Sequence, residues 1–170
     1  MEQWTKGRFL YYVAAVLMIL QWLLLWFLVN PAALEVLQYV GWTIWAVSII
    51  LICLPIFILR RKGSVEEEKD FTHTKVLVDS EIYAVVRHPL YLGWLLMYLA
   101  VIFWGQQWLI AIIGAFGIAC VYLISRQEDS RLVEKFGDDY KCYMRSVPRM
   151  NLLAGIIRLL RRRTSEENSI

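Results

Sequence analysis

The sequence predicts an all-α integral membrane protein with about four transmembrane helices, arranged as two hairpins. Hydrophobic residues make up 59% of the 170-residue chain, against about 45–50% in a typical soluble domain. They are concentrated in two blocks, 9–59 and 89–125, which contain a single charged residue, Glu35, and no Lys or Arg. Such a composition excludes a disordered chain, a disulfide scaffold and an ordinary nucleic-acid-binding domain.

The first block is long enough to cross a membrane twice, because a bilayer core about 30 Å thick requires roughly 20 residues of helix. Asn30-Pro31 marks the turn between the two crossings, since the residue before a proline is pushed out of the helical conformation. We expect spans at 9–29 and 37–59. Pro55 should kink the second of them near its end.

The second block is interrupted by Gly105-Gln106-Gln107, which predicts a tight hairpin with helices at 90–104 and 108–125. Both helices are shorter than the ideal length, so we expect tilt or local thinning of the bilayer. Pro89 suits the first position of a helix. Before it, Ser80 is expected to cap a short helix that runs through Val86.

The orientation follows from the basic residues, because Lys and Arg are retained on the cytoplasmic side during insertion. All 18 of them lie outside the two turns at 30–36 and 105–107. Both termini are therefore predicted to be cytoplasmic in a multi-pass protein, of the plasma membrane in a prokaryote or of the endoplasmic reticulum in a eukaryote. The net charge of +3 reflects this topology and contact with anionic lipid, so no nucleic-acid partner is expected.

Chemistry is expected in the two polar stretches that the topology places on one side, 60–88 and 126–170. In the first stretch, Tyr83 and Arg87 lie four residues apart on one helix face, and His88 and Tyr91 lie three apart at the membrane entry. Arg87 and His88 have two interpretations. They either reach out to lipid headgroups or take part in a site.

The second stretch places Glu128, Leu132 and Phe136 at four-residue spacing on one helix face, and Gly137 is expected to end that helix. Glu128 either forms an interfacial salt bridge or contacts a ligand. The three cysteines show no paired spacing, so neither a disulfide nor a metal site is expected.

Together the two stretches resemble the isoprenylcysteine carboxyl methyltransferase family and its phospholipid-methylating relatives. The first matching motif is Tyr83-x3-Arg87-His88-Pro89-x-Tyr91-x-Gly93. The second, after an apolar hairpin, is Glu128-Asp129-x2-Leu132-x3-Phe136-Gly137-x2-Tyr140-x2-Tyr143-x3-Val147-Pro148. The resemblance covers about residues 75–149. It implies that C-terminal helices on the cytoplasmic side form a pocket for S-adenosylmethionine.

Carried over position by position, the resemblance assigns residues to the cofactor. The implied cofactor contacts are Lys75, Val76, Leu77, Val78, Tyr83, His88, Pro89, Leu90, Tyr91 and Glu128. On chemical grounds the expected catalytic residues are the cations and acids nearest to these contacts, Arg87, Arg126, Glu128 and Asp129. Four positions depart from the family pattern. Lys75 stands where a His is familiar, Glu81 replaces a usual Gly, and Asp129 shortens the second acid of the usual Glu-Glu pair. Ile124 stands where members that methylate carboxylates tend to have an Arg.

The expected function is methyl transfer from S-adenosylmethionine to a lipophilic acceptor, with a prenylcysteine-type carboxylate as the first expectation. The reaction is an in-line displacement that needs alignment of the reactants rather than a metal. Four alternatives remain open: methylation of a phospholipid amine, methylation of a small thiol, an NADPH-dependent membrane reductase, and a non-catalytic membrane partner.

Three regions are expected along the chain: an N-terminal hairpin at 1–62, a methyltransferase core at 63–149 and an amphipathic basic tail at 150–170. The tail carries an apolar stripe followed by Arg161-Arg162-Arg163. It is expected to lie on an anionic leaflet, as an anchor or as a cover for the pocket. The sequence leaves the oligomeric state open.

Overall fold

The computed structural model describes residues 2–28, 30–62 and 76–167. Within these ranges all regular structure is helical, which confirms the predicted fold class. The helices are α1 (Glu2–Phe27), α2 (Glu35–Lys62), α3 (Ile82–Val85), α4 (Pro89–Gly105), α5 (Trp108–Phe136), α6 (Asp138–Ser146) and α7 (Leu152–Glu167).

Four apolar helices occupy the positions predicted for membrane spans. Residues Phe9–Phe27 of α1, together with α2 and α5, are long and apolar enough to cross a membrane. Helix α4 is apolar but has only 17 residues, about 25 Å at 1.5 Å per residue. The predicted shortness of the third span is therefore confirmed. The same prediction for the fourth span is wrong, because α5 continues without a break to Phe136 and its 29 residues are enough to cross a membrane. Helix α4 begins at Pro89 as expected, and Pro55 lies inside α2.

The chain forms two compact units. Unit 1 comprises Met1–Ile52 and Tyr91–Ser130, and unit 2 comprises Cys53–Leu90 and Arg131–Ile170. The core of unit 1 joins α1, α4 and α5 and contains Ala14, Met18, Met97, Tyr98, Val121 and Ile124. Helices α4 and α5 approach closely because position 117 is a glycine. A Cβ atom there would overlap the ring of Tyr98.

The two turns of unit 1 are joined by an amide network. Asn30 Nδ2 donates to the Gln106 carbonyl at 2.9 Å, and Gln106 Nε2 donates to the Leu34 carbonyl at 2.9 Å. Gln106 Oε1 accepts a hydrogen bond from Leu34 N at 2.8 Å. These bonds place both turns at the same end of unit 1, as the predicted topology requires.

Unit 1 also contains a buried amide that the sequence pattern did not predict. Gln21 is completely buried in α1, and its Nε2 donates to the carbonyls of Tyr98 and Ile110, both at 3.2 Å. It is the only Gln or Asn inside α1 beyond Phe9. A polar side chain at membrane depth is expected to find such partners.

Unit 2 is built around two apolar clusters. In the first, Ile58 near the end of α2 packs with Val78 and with Tyr83 of α3. The second contains Tyr140, Tyr143 and Val147, with Leu77, Leu132, Val133, Phe136 and Met144 packed against it. Helix α7 packs on α3.

Three local predictions are corrected around α3. Tyr83 and Arg87 do not share a helix face, because Val86 is extended and Arg87 lies outside the helix. Ser80 does not cap this helix: the cap residue is Glu81, which makes no side-chain capping bond, and the helix ends at Val85 rather than Val86. The Ser80 hydroxyl instead accepts a hydrogen bond from Lys62 Nζ at 3.1 Å. Lys62 also pairs with Glu81 at 2.6 Å, so this cation competes for the groups that would cap the helix.

The predicted end of the α5 helix is confirmed. Helix α5 stops at Phe136, and the Gly137 N–H closes the last turn onto the Val133 carbonyl at 2.9 Å. Gly137 has φ 60°, a conformation that glycine adopts without steric cost.

Candidate functional site

In unit 2 the segment that contains Arg87 and His88 is held against residues 147–149 by hydrogen bonds. Arg87 Nε donates to the Val147 carbonyl at 2.9 Å. The backbone N–H groups of Arg87 and His88 donate to the carbonyls of Pro148 at 3.0 Å and Arg149 at 3.1 Å. Residues about 60 positions apart in sequence are thereby fixed side by side. The structure thus joins part of the first motif to the end of the second.

Arg87 and His88 are both buried, with 9% and 5% of their surfaces exposed. This burial argues against the alternative that Arg87 extends to lipid headgroups, because a snorkelling guanidinium would be exposed. The Nε bond to Val147 also satisfies one of the five guanidinium donors and sets the direction of the side chain.

Tyr83 belongs to the same hydrogen-bonded group of residues in unit 2. The Tyr143 hydroxyl donates to the Tyr83 carbonyl at 2.6 Å, and the rings of Tyr140 and Tyr143 lie 5.7 Å apart. Burial of the Tyr83 phenol raises its pKa well above the ordinary value, and the neighbouring Tyr143 raises it further. A neutral Tyr83 side chain is therefore a hydrogen-bonding and packing group, not a proton acceptor, near neutral pH.

Helix α7 reinforces the loop from its other side. The Arg158 guanidinium donates to the carbonyls of Ser146 and Ala84. Gly155 lies directly against the Val85 carbonyl, where any Cβ atom would overlap it. Helix α7 therefore contacts both segments that meet at the buried Arg87, residues 84–85 and the end of α6.

The segment 76–78 contributes mainly packing. Leu77 and Val78 lie in the two apolar clusters of unit 2, whereas Val76 is 52% exposed. The side chains of Leu77 and Val78 therefore contribute to the apolar packing of unit 2. Lys75, the remaining predicted contact in this stretch, lies outside the described residues. Pro89 is fully buried and Leu90 is half-buried at the start of α4.

The remaining predicted residues belong to unit 1. Tyr91 packs against its core, and its hydroxyl is hydrogen-bonded to the hydroxyl of Tyr11 in α1. Tyr11 was not anticipated from sequence, because tyrosines in an apolar helix normally indicate packing. The pairing of a motif tyrosine with a span-one tyrosine requires the tertiary structure.

The polar residues of α5 differ in how deeply they are buried. Asp129 is only 3% exposed, Glu128 is half-buried and Arg126 is exposed. Ile124 stands at the position where an Arg would be expected for a carboxylate substrate. It is 3% exposed and belongs to the apolar core of unit 1. The buried residue among these that carries a charge is therefore Asp129, a carboxylate.

A family comparison identifies the class to which this architecture belongs. The model of the phospholipid methyltransferase family matches residues 36–139. This range covers more than half of the 170-residue chain, and the chain belongs to that family.

Among curated proteins, the chain is similar to the methanethiol S-methyltransferase of Crocosphaera subtropica. The two are 34% identical over 112 residues, which is 64% of this chain and 42% of the relative. The chain therefore spans about two fifths of that protein's length. No solved structure matches the chain.

Proposed function

We propose that this protein is a membrane methyltransferase that transfers a methyl group from S-adenosylmethionine to a lipophilic thiol. The observation that carries the proposal is the joining of the two sequence motifs in unit 2, where Arg87 and His88 are hydrogen-bonded to residues 147–149. Arg87, His88, Val147 and Pro148 are part of the pattern that resembles that of the methyltransferases, and membership of the phospholipid methyltransferase family supports the reaction class.

The chemistry of the described residues fits the cofactor. S-adenosylmethionine presents a carboxylate, an ammonium group and ribose hydroxyls, and it supplies the methyl group as part of a sulfonium. Arg87 and His88 are buried donors suited to the carboxylate end, and Glu128 is a half-buried acceptor suited to an ammonium or a ribose. Of the other residues that the resemblance assigns to the cofactor, Tyr83 and residues 76–78 belong to unit 2, and Tyr91 belongs to unit 1.

The protein's part in the reaction is to orient the acceptor and to accept its proton. A thiol has a pKa near 8.5 and reacts as the thiolate, so a base is needed near neutral pH. We assign this role to Asp129, the buried carboxylate of α5. Asp129 would take the S–H proton and leave a thiolate as the nucleophile. The bound donor would supply the methyl group from its sulfonium and leave as the neutral thioether, S-adenosylhomocysteine. Alignment of these groups supplies the main rate enhancement.

A thiol acceptor has more support than the prenylcysteine carboxylate that was first expected. An anionic carboxylate substrate calls for a cation, yet position 124 is an isoleucine in an apolar core and Arg126 is exposed. The Crocosphaera relative is, by its name, a thiol methyltransferase. A phospholipid amine is the second candidate, and the family description favours it.

Binding and transfer are tested separately. Isothermal titration of the purified protein with S-adenosylhomocysteine should give saturable binding, whereas NADPH should give none. The reverse pattern would identify a reductase. Radiolabelled methyl transfer should then be followed into volatile thioether, phospholipid and prenylcysteine fractions. Label in the phospholipid fraction alone would replace the thiol by the amine.

Variants distinguish the proposed roles. Asp129→Asn should lower kcat by about 10²–10⁴-fold if this carboxylate is the base, with little change in S-adenosylhomocysteine affinity. His88→Ala should instead weaken that affinity. Asp138→Asn is the matched control, because Asp138 is an exposed carboxylate paired with Lys141 at 2.8 Å. Equal losses in Asp129→Asn and Asp138→Asn would refute the assignment.

A further inference from the structure

Helix α7 has two different faces, and its inner face packs against the rest of unit 2. Gly155 and Arg158 lie against α3 and the end of α6, through the Val85 carbonyl and through hydrogen bonds to Ala84 and Ser146. Because of these contacts, the opposite side of α7 faces away from the rest of unit 2.

The outer face is an apolar stripe. Leu153, Ile156, Ile157 and Leu160 have exposed fractions of 75%, 45%, 50% and 58%. At 100° per residue these side chains cover an arc of about 100°, opposite Gly155. Four large exposed apolar side chains in one arc are typical of a surface that contacts a membrane or another protein.

Charge and position both favour a membrane surface as the occupant. Arg161 is exposed beside the stripe, and Arg162 and Arg163 follow it in sequence. Within unit 2, α7 packs on α3, and Tyr83 of α3 packs on Ile58, in the last apolar turn of α2. Arg60-Arg61-Lys62 follows that turn and marks the headgroup level. Helix α7 is therefore linked to this level through α3.

We propose that the outer face of α7 docks into the headgroup layer of the leaflet on the cation-bearing side, and that anionic phospholipid headgroups bind its arginines. The docked helix would hold residues 84–85 and 146 in place through Gly155 and Arg158. Lipid composition would in this way influence the loop that contains Arg87. The docking stands on its own, whereas its effect on methyl transfer rests on the proposed function.

Docking is measured with an environment-sensitive fluorophore on α7. The full chain, with Cys53, Cys120 and Cys142 replaced by alanine, carries Leu160→Cys labelled with a nitrobenzoxadiazole group. Nanodiscs contain phosphatidylcholine alone or with phosphatidylglycerol, at one protein per disc. We expect blue-shifted emission in the anionic discs and quenching by brominated lipid. The same label at Ala154→Cys, an exposed position outside the stripe, should be quenched less.

Two outcomes would overturn the docking. The first is water-like emission from position 160 in both lipids. The second is blue-shifted emission that requires two proteins per disc, because the stripe would then be covered by a second copy of the chain.

The role of charge has its own variant pair. Arg161→Gln should lower the ratio of docked to undocked helix in anionic discs about fivefold, as expected for one cation near an anionic surface. Lys141→Gln removes an exposed cation of unit 2 outside α7 and should leave the ratio unchanged. Equal effects of the two variants would contradict headgroup binding by α7.

Titration with S-adenosylhomocysteine in the same discs separates the two proposals. Docking without cofactor binding would support the membrane surface and remove the proposed enzymatic function. Cofactor binding with an undocked α7 would overturn the docking alone.

Discussion

At the residue scale, a glutamate at position 81 occupies a backbone conformation that favours glycine. Glu81 has φ 58° and ψ −125°, close to the φ 60° and ψ −130° of Gly137. These angles match the first central position of a type II′ turn. The Tyr83 N–H donates to the Ser80 carbonyl at 3.1 Å and closes that turn. The departure from the family's usual Gly at position 81 therefore has a structural cost.

Glu81→Gly is expected to raise the free energy of unfolding by about 1 kcal/mol. It relieves about 1–3 kcal/mol of strain and loses an exposed ion pair with Lys62 worth no more than about 1 kcal/mol. The melting temperature in detergent should rise by about 2–4 °C. Gly137→Ala is the opposite test, because a Cβ atom there meets nothing within 4 Å. It should lower the melting temperature, and an increase would contradict the dihedral argument.

The buried Tyr83 phenol predicts a pH dependence at the alkaline end. Its raised pKa means that the unfolded chain releases the proton near pH 10 while the folded chain retains it. The stabilising contribution is thus complete below pH 10 and is lost as the pH rises above it. Tyr83→Phe should reduce the loss of stability above pH 10 by up to about 1.4 kcal/mol per pH unit. Thermal unfolding between pH 8 and 11 measures it. An unchanged slope in Tyr83→Phe would refute the prediction.

At the element scale, the contact between α7 and α3 depends on a single glycine. Gly155→Val should displace α7, because even a Cβ atom overlaps the Val85 carbonyl. An overlap costing about 1–3 kcal/mol corresponds to about 5- to 150-fold faster tryptic cleavage at the arginines of α7. Ala154→Val is the matched control, since Ala154 is the exposed neighbour. Equal cleavage rates in the two variants would show that Gly155 does not set the contact.

Other elements show which local rules held. Helix α5 ends before Gly137 as predicted, because the glycine supplies a positive φ that ends the helix locally. Ser80 was expected to cap α3, but its hydroxyl is hydrogen-bonded to Lys62 from the end of α2. The predicted Ser80 cap is wrong because the competing group, the Lys62 ammonium, lies 18 residues away in sequence. A local sequence pattern does not contain that information.

At the scale of the whole molecule, the distribution of charges predicts the orientation of the chain. Cys142 is an exposed cysteine on the side that carries the cations, and Ala32→Cys would add one in the first cation-free turn. In intact cells a membrane-impermeant maleimide should modify position 32 only. Cys142 should react after the membrane is permeabilised. Modification of Cys142 in intact cells would reverse the assigned orientation.

The sequence alone determined the class of the protein and the placement of its spans. Apolar block length, Asn30-Pro31 and the Gly105–Gln107 turn act locally or through the bilayer, so they can be read without knowledge of the tertiary contacts. The two motifs likewise indicated the residues of the candidate site. The residue pattern alone did not show that Tyr143 and residues 147–149 fix the loop around Arg87.

Only the tertiary structure decided which polar residues are buried and which segments hold them. Asp129 and Arg126 differ by three positions on α5, yet one is buried and the other exposed. Gln21 and Tyr11 acquire their roles from carbonyls and a hydroxyl at least 77 residues away. Gly155 and Arg158 acquire theirs from the packing of α7 on α3. Burial and hydrogen bonding depend on contacts between distant segments, whereas hydrophobicity and turn propensity are properties of the local sequence.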